Sequence, residues 1–324
     1  NYRPISILPI LYKLFTRVLT QRVKNVLDAG QSVDQAGFRP GFSTDDHLFV
    51  TTMLFERAAE WGAPIWIAAV DFKKAFDSVS HDELFAAMLE MGVEAAYVNV
   101  LKRLYAGQTA NVVTDKISKN FEIKRGTKQG DPISPILFNA VLEALMRKLK
   151  QQWVAKAHGV RVGIGQPRNL QNLRFADDVL LVGKSLPQVH KMLVGLSEEA
   201  ARVGLQVHMG KTKILSNVVK RRGAAAAKEV LVAGQPVAVL PLEGQVAYLG
   251  KQLTLADDHH DVELDHRIAR GWAKFMANKK ELCNRNYSLA DRLRLFNAVI
   301  TPTVLYGSGS WTMTQERRRR LRAR

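Results

Sequence analysis

One cysteine, Cys283, stands in 324 residues, so neither an intramolecular disulfide framework nor a multi-cysteine zinc cage can be built, and a reducing compartment fits. No apolar run approaches the roughly 20 residues needed to cross a bilayer. The opening Asn1-Tyr2-Arg3-Pro4 carries neither a methionine nor a secretory pattern, and the arginine-rich stretch 317–324 stops without a turn signal; the chain reads as a piece of something longer. Acidic side chains are scarce. Thirty Asp and Glu against 47 Lys and Arg leave a formal charge of +17, far more than solubility needs, which points to a polyanionic partner. No repeat at a period of roughly 20 to 50 residues is evident, and the one low-complexity patch, the alanines at 224–227 behind Lys220-Arg221-Arg222, reads as a surface connection. What is present is 47% hydrophobic content, enough for a sizeable core, over a length that suggests about two domain-sized units. The basic residues are scattered through apolar segments, which favours a folded enzyme or binder with positive grooves over a disordered arm.

Apolar positions recur at helical spacing over 5–28 (Leu11, Leu14, Phe15, Val18, Leu19, Val23, Val26, Leu27), and Gly30 follows as a C-terminal cap. A loop rich in Gly, Pro and Ser spans 35–43, and helical spacing returns over 44–61. Residues 65–70 form a continuous apolar run, short enough for a strand buried on both faces, that stops abruptly at Asp71. Ser80 opens a helix with capping-box spacing to Glu83, and Gly92 closes it. Short strands over 109–113 and 120–124 lead into the glycine-bounded turn 126–131; Ser134 then caps a long helix with Pro135 at its first position and Arg147, Lys148 and Lys150 near its end. The segment 173–182 reads as a β-hairpin carrying Asp177-Asp178 at its tip. An amphipathic helix over 188–203, a short strand region with Lys211 and Lys213, short strands over 231–255 and a basic helical stretch over 261–300 complete the chain, with an internal boundary near Leu255.

Asp71 and Asp177-Asp178 sit at strand ends in a strongly basic chain, and an isolated buried carboxylate is costly. A divalent cation would resolve that cost. Mg²⁺ suits oxygen ligands, taking one or two carboxylates and leaving its other positions to water and phosphates. Two such ions about 4 Å apart can activate a 3′-hydroxyl and stabilise a leaving pyrophosphate. An Asp-Asp pair is equally at home in an ordinary hairpin turn.

Seven segments, in order, resemble the reverse transcriptases of non-LTR (LINE-type) retrotransposons: Asn1-Tyr2-Arg3-Pro4-Ile5-Ser6, Gln35-Ala36-Gly37-Phe38-Arg39-Pro40-Gly41, Val70-Asp71-Phe72-Lys73-Lys74-Ala75-Phe76-Asp77, Gly126 through Pro135, Phe175-Ala176-Asp177-Asp178, Gly204-Leu205 through Lys213, and Tyr248-Leu249-Gly250. The resemblance implies that Asp71 and Asp177 hold two catalytic Mg²⁺ ions, with Mn²⁺ as a substitute, and that Asp178 is the companion acid. It implies that Phe76 blocks a ribose 2′-hydroxyl and that Gln129 contacts nucleotide and template, with Phe72 and Gly130 beside them. Arg3 and Arg39 fall where finger segments supply cations, Lys211 where a lysine protonates departing pyrophosphate, and Tyr248, Leu249 and Gly250 where the primer end is steadied. Each has an ordinary alternative: core packing for Phe76, turn geometry for Gln129, a surface ion pair for Arg39, Lys213 in place of Lys211, a plain strand-turn at 248–250. Asp77 reads as a helix or turn cap. Phe42 after Gly41, and His208-Met209-Gly210 before Lys211, depart from the family's usual wording. Asp257-Asp258-His259-His260-Asp261 lacks regular ligand spacing and reads as a solvated turn.

The expected fold class is α+β, a right-hand polymerase with an antiparallel palm sheet packed on helices: partial fingers at 1–64, palm with the catalytic acids at 65–255, and a partial thumb at 256–324 whose basic helices, around Arg267 to Arg294, grip duplex phosphates. The expected activity is RNA-directed DNA polymerisation by two-metal nucleotidyl transfer. The expected partners are an RNA template, a DNA primer or nicked target DNA, and deoxynucleoside triphosphates, with no membrane; a nuclear location is implied by the family alone, and oligomeric state is left open. Two alternatives stand: a group II intron type reverse transcriptase, which would need a maturase region, and a truncated retroelement copy that binds nucleic acid without polymerising.

Overall fold

The computed structural model describes residues 5–163, 168–218, 229–256 and 258–323. The chain divides into two compact units. The first comprises Asn1–Phe42, Ile65–Ile214 and Ala226–Val239, and the second Ser43–Pro64, Leu215–Ala225 and Leu240–Arg324.

Helix α1 spans Ile10–Ala29 and buries Thr16, Leu19, Val23 and Leu27 at helical spacing. It opens later than the apolar periodicity suggests because Pro9 holds the N-cap in an extended conformation (φ −54°, ψ 144°) and disfavours helical backbone at the residue before it. Helix α2, Thr44–Glu60, is capped where Asp46 Oδ2 accepts the Ser43 N–H at 2.6 Å. Strand β1 is Trp66–Val70, with Ile67, Ala68, Ala69 and Val70 all buried, so both its faces are covered. Two helices follow, α3 (Ala75–Ser78) and α4 (His81–Glu90). Ser80 does take the N-cap of α4, but its hydroxyl makes no capping bond; its N–H donates instead to the Val203 carbonyl at 3.0 Å. Helix α5, Ala95–Tyr105, buries Val98, Leu101 and Tyr105, a short amphipathic element that the motif-led reading passed over.

Strands β2 (Thr109–Ala110) and β3 (Phe121–Glu122) pair antiparallel. Helix α6, Ser134–Ala155, begins at the residue expected to cap it: Ile133 is the N-cap and Ser134 lies inside the helix, its Oγ buried with no hydrogen-bond partner. Every residue from Leu137 to Met146 of α6 is buried, marking a helix enclosed on all sides. Next come β4 (Val160–Val162), β5 (Arg168–Leu170), β6 (Asn172–Phe175), β7 (Asp178–Gly183) and α7 (Leu186–Arg202), the last with Ser185 Oγ accepting the Gln188 N–H at 3.4 Å. Strands β8 (Lys213–Ser216), β9 (Glu229–Val232) and β10 (Gln235–Val239) complete the first unit's sheet. The second unit continues with β11 (Val246–Tyr248), β12 (Lys251–Leu253), α8 (His259–Ala277), α9 (Lys279–Leu282), α10 (Leu289–Leu305) and α11 (Gln315–Ala323).

The central sheet runs β6-β7-β1-β8-β10-β9. Its β6–β7, β7–β1 and β9–β10 pairs are antiparallel, and β8–β10 is parallel. Helix α7 packs on β7, β1 and β9, and α6 packs in turn on α7, α4 and α1. The fold is α+β, helices laid on a largely antiparallel sheet, as expected. In the second unit α8 packs against α10 and β12. No helix among the described residues is long and apolar enough to cross a membrane.

Candidate active site

Strand pairing in the first unit brings the acids together. β1 and β7 run in register from Trp66 opposite Gly183 to Val70 opposite Val179, and one further step sets Asp71 across from Asp178. β6 and β7 close on Phe175 opposite Asp178 with Ala176 and Asp177 as the two-residue turn. Asp71 and Asp177 are half-buried, and Asp178 is exposed.

The turn is braced from outside the hairpin. Ala176 has φ +55°, a left-handed conformation that costs a non-glycine residue about 1–2 kcal/mol. Gln35, fully buried, accepts the Ala176 N–H and the Gly37 N–H on one oxygen, both at 2.9 Å. The chain at Gly37 passes so near that a Cβ there would lie 2.3 Å from the Ala176 nitrogen, and Asn139 of α6 donates to the Gly37 carbonyl at 2.7 Å. Beneath the hairpin, Arg174 and Glu143 form an ion pair at 2.8 Å with side-chain exposures of 0% and 3%. Removing one member of such a pair leaves a buried charge unmet. Nothing in the spacing of Gln35, Arg174 or Glu143 singles them out, although Gln35 does open one of the family-like segments.

The segment after α7 wraps the mouth of β1. The Asp71 carbonyl accepts the His208 N–H at 2.7 Å, Lys73 N–H donates to Gln206 at 2.8 Å, and Phe72 bridges Val207. This places the Lys211 ammonium 3.4 Å from Asp71 Oδ2. Across the mouth, Gly126 (φ +86°) crosses Asp77 so closely that a Cβ would stand 2.5 Å from its carbonyl oxygen. Thr127 N–H bonds the Phe76 carbonyl at 2.6 Å, and Gln129 Nε2 donates to Asp77 Oδ1 at 3.3 Å. Asp77 sits in the first turn of α3. Phe76 stacks on Phe138 (4.4 Å between ring centroids) and meets Phe38 edge-on at 6.1 Å.

These groups line one cleft of about 880 Å³. Asp71, Phe72, Phe76, Gln129, Gly130, Asp177, Asp178 and Lys211 are all on its wall, joined by Lys73, Lys74, Arg125 and Lys128. The added cations were not among the expected site residues; Lys73 and Lys74 follow Asp71 directly and were legible by that position alone. Burial pulls the Lys128 ammonium below its ordinary pKa, and it lies 4.2 Å over the Tyr12 ring and 3.1 Å from its hydroxyl. Burial, with the Asp131 charge, raises the Tyr12 and Tyr105 phenols.

Five expected residues are not among those lining the cleft. Arg3 lies outside the described residues, as do Asp257 and the basic and alanine-rich patch at 220–227. Arg39 is not on the cleft wall: its guanidinium bonds Asp28 Oδ1 at 2.7 Å and the Ser32 and Gln35 carbonyls at 2.8 and 2.9 Å, and lies over the Phe42 ring. Tyr248, Leu249 and Gly250 belong to the second unit, where Leu249 and Gly250 form the left-handed turn (φ +47° and +78°) between β11 and β12. The Tyr248 hydroxyl lies 3.0 Å from His47 Nδ1, and Tyr306 donates to the Leu249 carbonyl at 2.7 Å.

The second unit corrects two sequence readings. Arg267 is buried, bonded to Glu263 and the Gly250 carbonyl and stacked over Tyr306, so it braces the 249–250 turn and is not displayed on a surface. His259 and His260 are no solvated turn. They open α8 and gather with Glu56, one donor atom from each within 4.8 Å of the others, a set that could hold a metal ion. Asp71, Asp177 and Asp178 line their cleft without closing into so tight a set.

The family model described as reverse transcriptase (RNA-dependent DNA polymerase) matches residues 1–253, and the chain belongs to that family. Its relatives include the Retrovirus-related Pol polyprotein from type-2 retrotransposable element R2DM of Drosophila melanogaster, 29% identical over 253 residues, covering 77% of this chain and 22% of the fly protein. A Pol polyprotein from the type-1 retrotransposable element R2 of Popillia japonica is 31% identical over 188 residues, 56% of this chain and 25% of the beetle protein. The chain thus spans about a quarter of the length of these relatives. A solved telomerase from Candida Tropicalis superposes with a TM-score of 0.49 at 15% identity, over 70% of this chain and 44% of that one. The resemblance to non-LTR retrotransposon reverse transcriptases that the motifs carried is borne out.

Proposed function

We propose that this domain copies an RNA template into DNA by extending a DNA 3′-hydroxyl with deoxynucleoside triphosphates. The observation that carries the reading is the single cleft on which Asp71, Asp177 and Asp178 share a wall with Phe76, Gln129 and Lys211. The acids offer oxygen donors only, the set that Mg²⁺ prefers; Asp71 and Asp177 would hold two ions, with Asp178 as companion and Mn²⁺ as a substitute. When bound, the ions supply charge neutralisation to the phosphates and lower the pKa of the attacking hydroxyl.

The rest of the work falls to the chain's own side chains. Phe76, clamped between Phe138 and Phe38, presents a fixed ring where a ribose 2′-hydroxyl would collide, which selects deoxynucleotides. Gln129, tethered to Asp77, lies beside Gly130 at the nucleotide and template. Lys73, Lys74 and Arg125 give the cleft positive charge for a triphosphate. As the 3′-hydroxyl gives its proton to solvent, its oxygen bonds the α-phosphorus and the bond to pyrophosphate breaks, Lys211 gives the leaving group a proton and regains one from solvent. The first unit's sheet serves as palm, and the β11–β12 turn and basic helices of the second serve as primer grip and thumb. In this reading the enzyme works on nuclear nicked DNA.

The test is primer extension on an annealed RNA template and DNA primer with deoxynucleotides and Mg²⁺, alongside Asp177→Ala and a hybrid-binding control. Extension should fall by about 10³-fold or more while hybrid affinity holds. Retained extension in the variant would sink the assignment. Tight, salt-sensitive binding by the parent without extension would favour the binding-only alternative.

A further inference from the structure

The second unit holds a cluster of chemistry that template copying leaves unused. Glu56 stands one turn before the end of α2, and His259 and His260 open α8, so the three meet across 204 positions of sequence. Glu56 Oε1 lies 3.0 Å from His260 Nε2 and accepts the Thr312 hydroxyl at 3.0 Å. The His259 backbone N–H donates to the Ala256 carbonyl at 3.1 Å, and its ring Nε2 is buried with no hydrogen-bond partner. The His260 side chain is only 7% exposed, and its Nδ1 likewise has no partner. The two rings stand 4.1 Å apart, centroid to centroid.

Two buried imidazole nitrogens without partners are costly, and a cation would satisfy them. Two nitrogens and a carboxylate suit zinc and its neighbours. Mg²⁺ and Ca²⁺, which want oxygen, do not match. Nearby positive charge is already engaged: Arg317 pairs with Asp261 at 2.6 Å, and Lys251 donates to Thr52 and Ser310 at 2.8 and 3.0 Å.

We infer that Glu56, His259 and His260 form a structural site for Zn²⁺ or a like divalent transition ion, fastening the end of α2 to the head of α8, with water completing the coordination. A clip across so long a loop removes much disorder from the unfolded chain, so the stability of the second unit becomes metal-dependent.

The test uses the chelator-stripped chain carrying Cys283→Ser, because that exposed thiol would otherwise take zinc, with excess Mg²⁺ present to occupy the cleft acids. Co²⁺ and Zn²⁺ are titrated into this parent, His259→Asn and Glu56→Gln. One equivalent of Co²⁺ should produce the intense visible absorption of a low-coordinate cobalt–imidazole centre, Zn²⁺ should displace it, and Zn²⁺ should raise the Tm. Each variant should bind at least about tenfold more weakly and lose the rise in Tm. Glu56→Gln keeps shape at a partly exposed position, so it remains informative if His259→Asn folds poorly. A natively folded parent with no cobalt absorption and no rise in Tm, or equal affinity in parent and Glu56→Gln, would overturn the inference. None of these readouts depends on polymerase activity, so the two readings fail separately.

Discussion

Replacing Gln35 with leucine isolates the brace that presents the acidic turn. The substitution conserves bulk but deletes the oxygen accepting the Ala176 and Gly37 N–H groups at 2.9 Å; the Nε2 bond to the Ala176 carbonyl, at 3.5 Å, is marginal. Leaving a buried donor unmet costs about 1–3 kcal/mol, so two amount to about 2–6 kcal/mol, a large part of the roughly 5–15 kcal/mol that holds a domain folded. The chain can recover some of this by letting Ala176 leave its left-handed conformation, which also swings Asp177. A misplacement of about 1 Å at reacting groups costs about 10²-fold in rate. Gln35→Leu should therefore fold with a lowered urea midpoint, keep hybrid affinity because Gln35 is not a cleft residue, and lose about 10²-fold in single-turnover extension. Adding Ala176→Gly, which removes the conformational penalty, should restore part of the stability. Extension within about threefold of the parent, with the stability loss measured, would refute the claim that Gln35 sets the position of the acids.

Two further outcomes follow from the same cleft and its foundation. Phe76→Ala should raise ribonucleotide incorporation relative to deoxynucleotide by about tenfold or more, read by competing the two triphosphates on one template; an unchanged ratio would return Phe76 to simple packing against Phe138. Glu143→Ala should destabilise the first unit by about 3–5 kcal/mol by stranding the buried Arg174 charge, read from urea unfolding, whereas a loss under about 1 kcal/mol would mean that water reaches the pair.

Local signals carried much of the architecture. The apolar run ending at Asp71, the hairpin around Asp177-Asp178 and the amphipathic α7 were all legible, because burial imposes a period of 2 or 3.6 on the residues that face a core. Capping was less so. Ser80 and Ser134 had the right residue type, yet neither hydroxyl caps its helix, because neighbouring backbone and packing settled those ends. Arg39 had the residue type for a cation at a substrate, and its guanidinium is spent on Asp28, Ser32 and Gln35. The His259-His260 pair lacked ligand spacing because its third member, Glu56, comes from a distant helix.

By itself the sequence determined the family and the α+β class and singled out the candidate acids, since these rest on collinear motifs and on periodicities written within a few residues of one another. Only the tertiary structure decided which groups share the cleft and what holds them. Gln35 meets Ala176 across 141 positions of sequence and Arg174 meets Glu143 through the packing of α6 beneath the hairpin. Such contacts leave no local trace, because the free energy that selects them arises when distant, individually unremarkable polar groups are buried together.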